Sequence, residues 1–158
     1  MRLEHLCDLE LAYRQETLYQ GKFVMARPYD SHEASAYGEG DGWVKGEKLK
    51  GTARWTNHPH CRTDGVWLPN LHGVIKTEDE AYILFSLHGR TKFIAGGQGH
   101  QLLAVVLETQ DERYECLNDS ICVLEGIIEG FSMRMKVFQC INEMSYGHTN
   151  LYRQYAEG

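Results

Sequence analysis

Residues 81–88 read Ala81-Tyr82-Ile83-Leu84-Phe85-Ser86-Leu87-His88. The odd positions, Ala81, Ile83, Phe85 and Leu87, are all apolar, while the even set is Tyr82, Leu84, Ser86 and His88. A repeat of two is the period of a β-strand that presents one face to a core. Phe131 to Val137 repeats the pattern, with Phe131, Met133, Met135 and Val137 on one face and Ser132, Arg134 and Lys136 on the other. Working outward, Thr77-Glu78-Asp79-Glu80 and Glu129-Gly130 read as hairpin turns.

Other segments extend the all-β reading. Phe23 to Met25 is a short strand, and Gly42 to Leu49 a strand with glycine bends. Val66 to Lys76 is a strand in which Gly73 marks a bulge or a close approach. Leu102 to Glu108 and Ser120 to Ile128 are apolar on both faces, which predicts cover on both sides. Arg27 to Asp41 and the glycine-bearing Thr91 to His100 read as loops, the second a mobile one. Gly38-Glu39-Gly40-Asp41-Gly42 reads as a flexible turn whose acids would repel phosphate. A short helix is expected over Arg113 to Asp119, and a terminal helix or fraying end over Asn150 to Gly158. Sixteen glycines against three prolines suit a chain of many tight turns. Strands in this number close most readily into an antiparallel barrel of about eight strands, which removes exposed edges and leaves room for one small ligand.

Bulk properties narrow the function classes. A chain of 158 residues suits one domain, here residues 1–158, and buries roughly two thirds of its unfolded surface. A net charge of -6 argues against a uniformly basic nucleic-acid surface. No apolar run reaches a membrane span, and Met1-Arg2-Leu3-Glu4-His5-Leu6 lacks the apolar core of a signal peptide. A soluble, cytoplasmic protein with no membrane or nucleic-acid partner is expected. Cys7, Cys61, Cys116, Cys122 and Cys140 are an odd number without a CxxC pair, the pattern of free thiols.

Several ordered motifs carry a resemblance. They are Gly46-Glu47-Lys48-Leu49-Lys50-Gly51, Arg54-Trp55-Thr56-Asn57, Arg62-Thr63-Asp64-Gly65, Pro69 and His72-Gly73-Val74-Ile75. Thr77-Glu78-Asp79, Gly89-Arg90-Thr91, Arg113-Tyr114-Glu115-Cys116-Leu117-Asn118 and Glu125-Gly126 follow. In this order they resemble the domain-of-unknown-function-3237 family over about residues 3 to 142, with 143–158 a C-terminal extension. One departure is Glu80, where the hairpin glycine is expected. The resemblance implies a β-barrel, often oligomeric, with no obligatory metal. Some relatives in bacterial lignin breakdown decarboxylate phenylcoumaran-type aromatic acids.

The lead expectation is therefore a cofactor-independent decarboxylase, a carboxy-lyase of aromatic compound catabolism, acting on a small aromatic acid as a homodimer. A para-phenol can push electrons through its ring, open the phenylcoumaran ether and release carbon dioxide to give a stilbene. The enzyme must hold the carboxylate, take the phenolic proton and protonate the leaving oxygen. The alternatives are an isomerase or cyclase of a small hydrophobic compound, and a non-catalytic ligand-binding barrel.

The candidate residues follow from these needs. Arg90 would grip the carboxylate by two parallel hydrogen bonds, or else tie structurally to Asp64 or Asp79. His88 and Tyr82 are base and acid candidates and share the even face with Ser86, yet that face is equally the outside of the barrel. His72 is a second candidate base, or a core histidine. Glu125, beside Val123 and Ile127, is a general acid if its carboxyl lies in apolar surroundings. Trp55 and Asn57 share a face for stacking and for binding an oxygen, with Arg54 opposite. Arg62 and Asp64 form a pair that shapes the turn at Gly65 or orients a histidine. Tyr114 and Asn118 fix a loop at the barrel mouth, within reach of substrate. His58-Pro59-His60-Cys61 gathers three metal-type ligands, but the proline and the lack of a second histidine motif favour a loop, so no metal is expected.

Overall fold

The computed structural model describes residues 1–14 and 21–144. Its strands are β1 (Arg2–Tyr13), β2 (Val24–Ala26), β3 (Ala34–Lys45), β4 (Lys50–Asn57), β5 (His60–Cys61), β6 (Trp67–Leu68), β7 (Asn70–Thr77), β8 (Tyr82–Phe93), β9 (Gly99–Glu108), β10 (Cys122–Glu129) and β11 (Ser132–Ile141). Two 3-10 helices, Pro28–Asp30 and Glu112–Leu117, interrupt them. The sheet closes on itself antiparallel in the order β1, β3, β4, β7, β8, β9, β10, β11 and back to β1. This is the expected eight-stranded barrel with very little helix.

The alternation that announced β8 also sets its inside and outside. Ile83, Phe85 and Leu87 are buried, and Thr91 continues their face. Across the ladder Phe85 lies opposite Leu107 and Gly73, and Leu87 opposite Val105 and Leu71. Each fully buried Leu, Ile or Phe side chain contributes about 1.5–3 kcal/mol of burial free energy. Gly73 is the close-approach point, since a Cβ there would lie 2.6 Å from the Phe85 ring.

Three readings are corrected. Much of 27–41 and the whole Gly38–Gly42 run belong to β3, where Gly38 and Gly40 take inward positions because aromatic rings need the space. A Cβ at Gly38 would meet the Tyr13 ring at 2.3 Å, and one at Gly40 the Trp55 ring at 2.4 Å. The expected double cover of residues 102–108 is not formed among the described residues: β9 alternates buried and exposed, and Leu102 and Val106 stay on the surface. The loop expected over 91–100 shrinks to a turn at 94–98, where Gly96 and Gly97 take positive φ. The short helix is present as Glu112–Leu117; the expected terminal helix lies outside the described residues.

The two ends of the barrel differ. At one end Leu117 and Tyr114 of the second 3-10 helix pack against the core. Below them Cys7, Leu9, Val44, Phe85 and Val105 surround a void of only about 10 Å³, at or under the size of one water. At the other end β4 stops at Asn57 and β7 begins at Asn70, and the intervening chain builds the wall instead. There β5 pairs with β3 and β6 with β8. This detour leaves space that the core does not fill.

Candidate functional site

That space is a cavity of about 260 Å³. Its walls are Phe23, Pro59, Trp67, Pro69, Phe93, Ile128, Gly130, Phe131 and Met133, with four polar residues, Tyr13, Asn57, Thr91 and Gln101. None of these side chains bears a formal charge. The volume lies just below the roughly 300–1,000 Å³ of drug-sized ligand sites, which fits a guest of one or two rings.

The polar groups are held in two sets. Asn57 Oδ1 accepts from the Asn70 backbone N–H at 3.1 Å, so its amide nitrogen must face the other way. That nitrogen donates to Tyr13 Oη at 3.0 Å. With a lone pair of its oxygen so engaged, the Tyr13 phenol retains its own proton as a donor. Burial raises the Tyr13 pKa above the usual phenol value, and the Asn57 hydrogen bond offsets only part of that rise. Tyr13 therefore acts as a neutral donor at physiological pH. The second set lies toward β8 and β9, where Gln101 Nε2 donates to Thr91 Oγ1 at 3.2 Å.

Aromatic edges frame the first set. The Tyr13 ring meets Trp55, Phe23 and Phe131 edge to face at 4.8, 6.0 and 5.8 Å. Phe23 in turn meets Trp67 at 6.0 Å. Such pairs contribute about 0.5–1.5 kcal/mol each beyond area burial, and they fix the phenol in place. Lys22 Nζ sits 4.8 Å over the Phe131 ring, a cation stacked on a residue of the cavity wall.

The residues expected from the sequence are distributed differently. Asn57 lines the cavity, and Trp55 is core just beneath it, 2% exposed, with Nε1 donating to the Asp41 carbonyl. Arg54 is on the opposite face as expected, paired with Asp41 at 3.3 Å. Tyr82, His88 and Arg90 point outward from β8 and do not line the cavity, because the odd face of that strand fills the interior. Arg90 donates to its neighbour's carbonyl, Gly89 O, rather than to Asp64 or Asp79. Ser86 is half-buried on the same outer face. His72 is exposed, not a core residue; its ring lies 5.3 Å from that of His88 and its Nε2 meets Asn70 Oδ1. Glu125 is exposed on the outside of β10, so the apolar environment expected for its carboxyl is not formed.

Arg62 and Asp64 do pair around the turn at Gly65, where Asp64 also accepts from the Val66 N–H. Tyr114 and Asn118 belong to the closed end, away from the cavity. Tyr114 Oη donates to Asp79, and Asn118 brackets both backbone groups of Thr109. The hydroxyls of Thr77 and Tyr114, with Arg113 nearby, hold the Asp79 carboxyl below the usual carboxylate range. Among the described residues no group of three His, Cys, Asp or Glu is placed to hold a metal ion. His58 instead packs on Tyr37, and Cys61 is buried.

Tyr13, Thr91 and Gln101 escaped the sequence reading. Their signal is a polar residue at the inward position of an alternating strand: Tyr13 after Cys7, Leu9 and Leu11, and Gln101 before Leu103, Val105 and Leu107.

No family model matches the sequence, and no curated protein does. Solved structures do. A β-barrel-like protein from Acinetobacter baumannii superposes with a TM-score of 0.76 at 14% identity, over 87% of this chain and 94% of that one. A protein of unknown function from Clostridium acetobutylicum gives 0.77 at 14% identity, over 89% and 100%. An enzyme from Penicillium herquei gives 0.64 at 21% identity, over 87% and 93%. The likeness is one of fold. It agrees with the barrel expected from the motif resemblance and carries no activity with it.

Proposed function

We propose that this barrel binds a small, largely apolar aromatic compound in its end cavity and assists a rearrangement in which negative charge develops on a guest oxygen. This is the isomerase or cyclase class. The observation that carries the reading is the oriented relay from the Asn70 N–H through Asn57 to Tyr13, inside a wall whose described side chains carry no charge. A fixed phenol donor among apolar walls stabilises charge developing on a guest carbonyl or ether oxygen better than water does. One neighbouring fold is described as an enzyme, so the architecture accommodates catalysis.

The decarboxylase remains a second reading, on one observation. Lys22, stacked over Phe131, supplies a cation beside the cavity wall where a carboxylate could rest with its ring inside. Arg90 does not serve that role from the outer face.

Trp67 in the wall makes the proposal measurable. Aromatic ketones and a phenylcoumaran acid are titrated against intrinsic fluorescence, with Trp67→Phe as control, and each guest is followed by mass spectrometry. Saturable binding is expected, with conversion lowered about 100-fold by Tyr13→Phe and affinity little changed. Lys22→Met is expected to leave ketones unaffected and to weaken only the acid. Absence of saturable binding across the panel would sink the proposal. Tight binding with no product, and no effect of Tyr13→Phe, would leave a binding barrel.

A further inference from the structure

We infer that Gln101 is a specificity-determining residue: the guest carries an O–H or N–H donor that pairs with the Gln101 side-chain carbonyl. The inference rests on the reading that the end cavity is the binding site, and it adds the chemistry of the far end of the guest.

Gln101 is 7% exposed and stands at an inward position of β9, where the next three inward residues, Leu103, Val105 and Leu107, are hydrocarbon. Its Nε2 donates to Thr91 Oγ1 at 3.2 Å and lies 3.9 Å from Met133 Sδ. A thioether sulfur can only accept, so the NH₂ end of the amide must face Met133. In this orientation Oε1 lies on the other side. Oε1 is buried, and among the described residues no group donates to it.

An orphaned carbonyl destabilises the empty protein, and an apolar side chain of similar length would not. Packing alone therefore gives no reason for an amide at this point in the barrel. The terminal torsion of glutamine is broad, so the amide can turn over, giving up its bond to Thr91, and bring Oε1 to a guest lying beside Thr91 and Met133, both of which line the cavity.

The complementary group stands across the ring. Tyr13 is on β1, and β10 and β11 separate it from β9. Tyr13 offers a donor and Gln101 an acceptor, with apolar walls between. The guest class that satisfies both is an aromatic framework with an acceptor oxygen at one end and a hydroxyl or N–H at the other, such as a hydroxyaryl ketone or a phenolic cyclic ether. Sites built to hydrogen-bond a hydroxyl discriminate strongly against analogues that lack it, whereas purely apolar pockets do not.

The test needs no knowledge of the natural guest. Hydroxyacetonaphthone, its methyl ether and unsubstituted acetonaphthone are titrated against the full chain by fluorescence. The hydroxy compound is expected to bind about tenfold tighter than either of the others. Gln101→Met, and independently Gln101→Leu, are expected to erase that preference, the three probes then binding within about twofold of one another. Both also give up the bond to the buried Thr91 hydroxyl, so the melting temperature is read to check that each variant folds. Equal affinities of the three probes for the wild-type chain would overturn the inference and leave the cavity reading standing. Retention of the preference in folded Gln101 variants would overturn it too. Failure of all three probes to bind would remove the cavity reading and this inference together.

Discussion

At the scale of single residues, two positions show how local chemistry was legible and where it stopped. Glu80 departs from a hairpin glycine, and it does adopt φ +67°, the left-handed conformation that the turn requires. A side chain there costs about 1–2 kcal/mol, and its 3.7 Å contact with Lys76 is exposed and returns little. Glu80→Gly is thus expected to stabilise the protein by about 1 kcal/mol, read as a melting point raised by about 2–4 °C. Asn57 was singled out for binding an oxygen, and the oxygen that it binds in the folded chain is that of Tyr13. Asn57→Leu would strand the buried Tyr13 hydroxyl and the Asn70 N–H. A loss of about 1–3 kcal/mol in urea unfolding is expected. A neutral result would show that neither bond matters. Nothing in the residues around Asn57 along the chain pointed to Tyr13, 44 positions away.

At the scale of elements, β3 is the strand that sequence reading mistook. Glycine at alternate positions weakens strand propensity and imitates a turn. Its purpose appears only when β1 and β4 lie alongside, because the rings of Tyr13 and Trp55 occupy the space above Gly38 and Gly40. A Cβ at Gly40 would also lie 2.0 Å from the Ala12 carbonyl oxygen, a backbone atom that cannot move aside alone. Gly40→Ala is expected to cost about 3 kcal/mol or more by overpacking, against little change for an exposed control such as Thr52→Ala in β4. Equal stabilities by denaturant titration would contradict this packing. Strand β8 was legible because its pattern is strong and local. Its polar face holding Tyr82, His88 and Arg90 is the outside, one of the two readings that the alternation left open.

For the whole molecule, burial divides the thiols into two classes. Desolvation pushes Cys7 up to about 12 and Cys122 up to about 11, while Cys116 is exposed. Since the thiolate is the reactive form, a disulfide reagent at pH 8 should label Cys116 quickly and Cys7 and Cys122 only on unfolding. Fast labelling of Cys7 in the native state would mean that the barrel opens. The same shifts fix a pH dependence. In the folded chain these thiols keep their protons above the ordinary thiol value of 9.0, whereas the unfolded chain releases them. The native state then binds more protons, so its stability is full below pH 9 and falls as pH climbs toward 11 and 12. Denaturant midpoints between pH 8 and 11 should decline, and Cys7→Ala should flatten the decline.

The amino-acid sequence by itself determined that this chain makes strands, that these strands have one apolar face, and that enough of them follow one another to close a barrel. Those properties are periodic and local, and residues two apart report them directly. Only the tertiary structure decided which end of the barrel stays unfilled, and which polar groups share it. Tyr13, Asn57, Thr91 and Gln101 come from four strands, and they meet because β4 and β7 stop short where β5 and β6 take over the wall. A cavity is a place where long-range packing leaves something out, and no single segment of the chain encodes that.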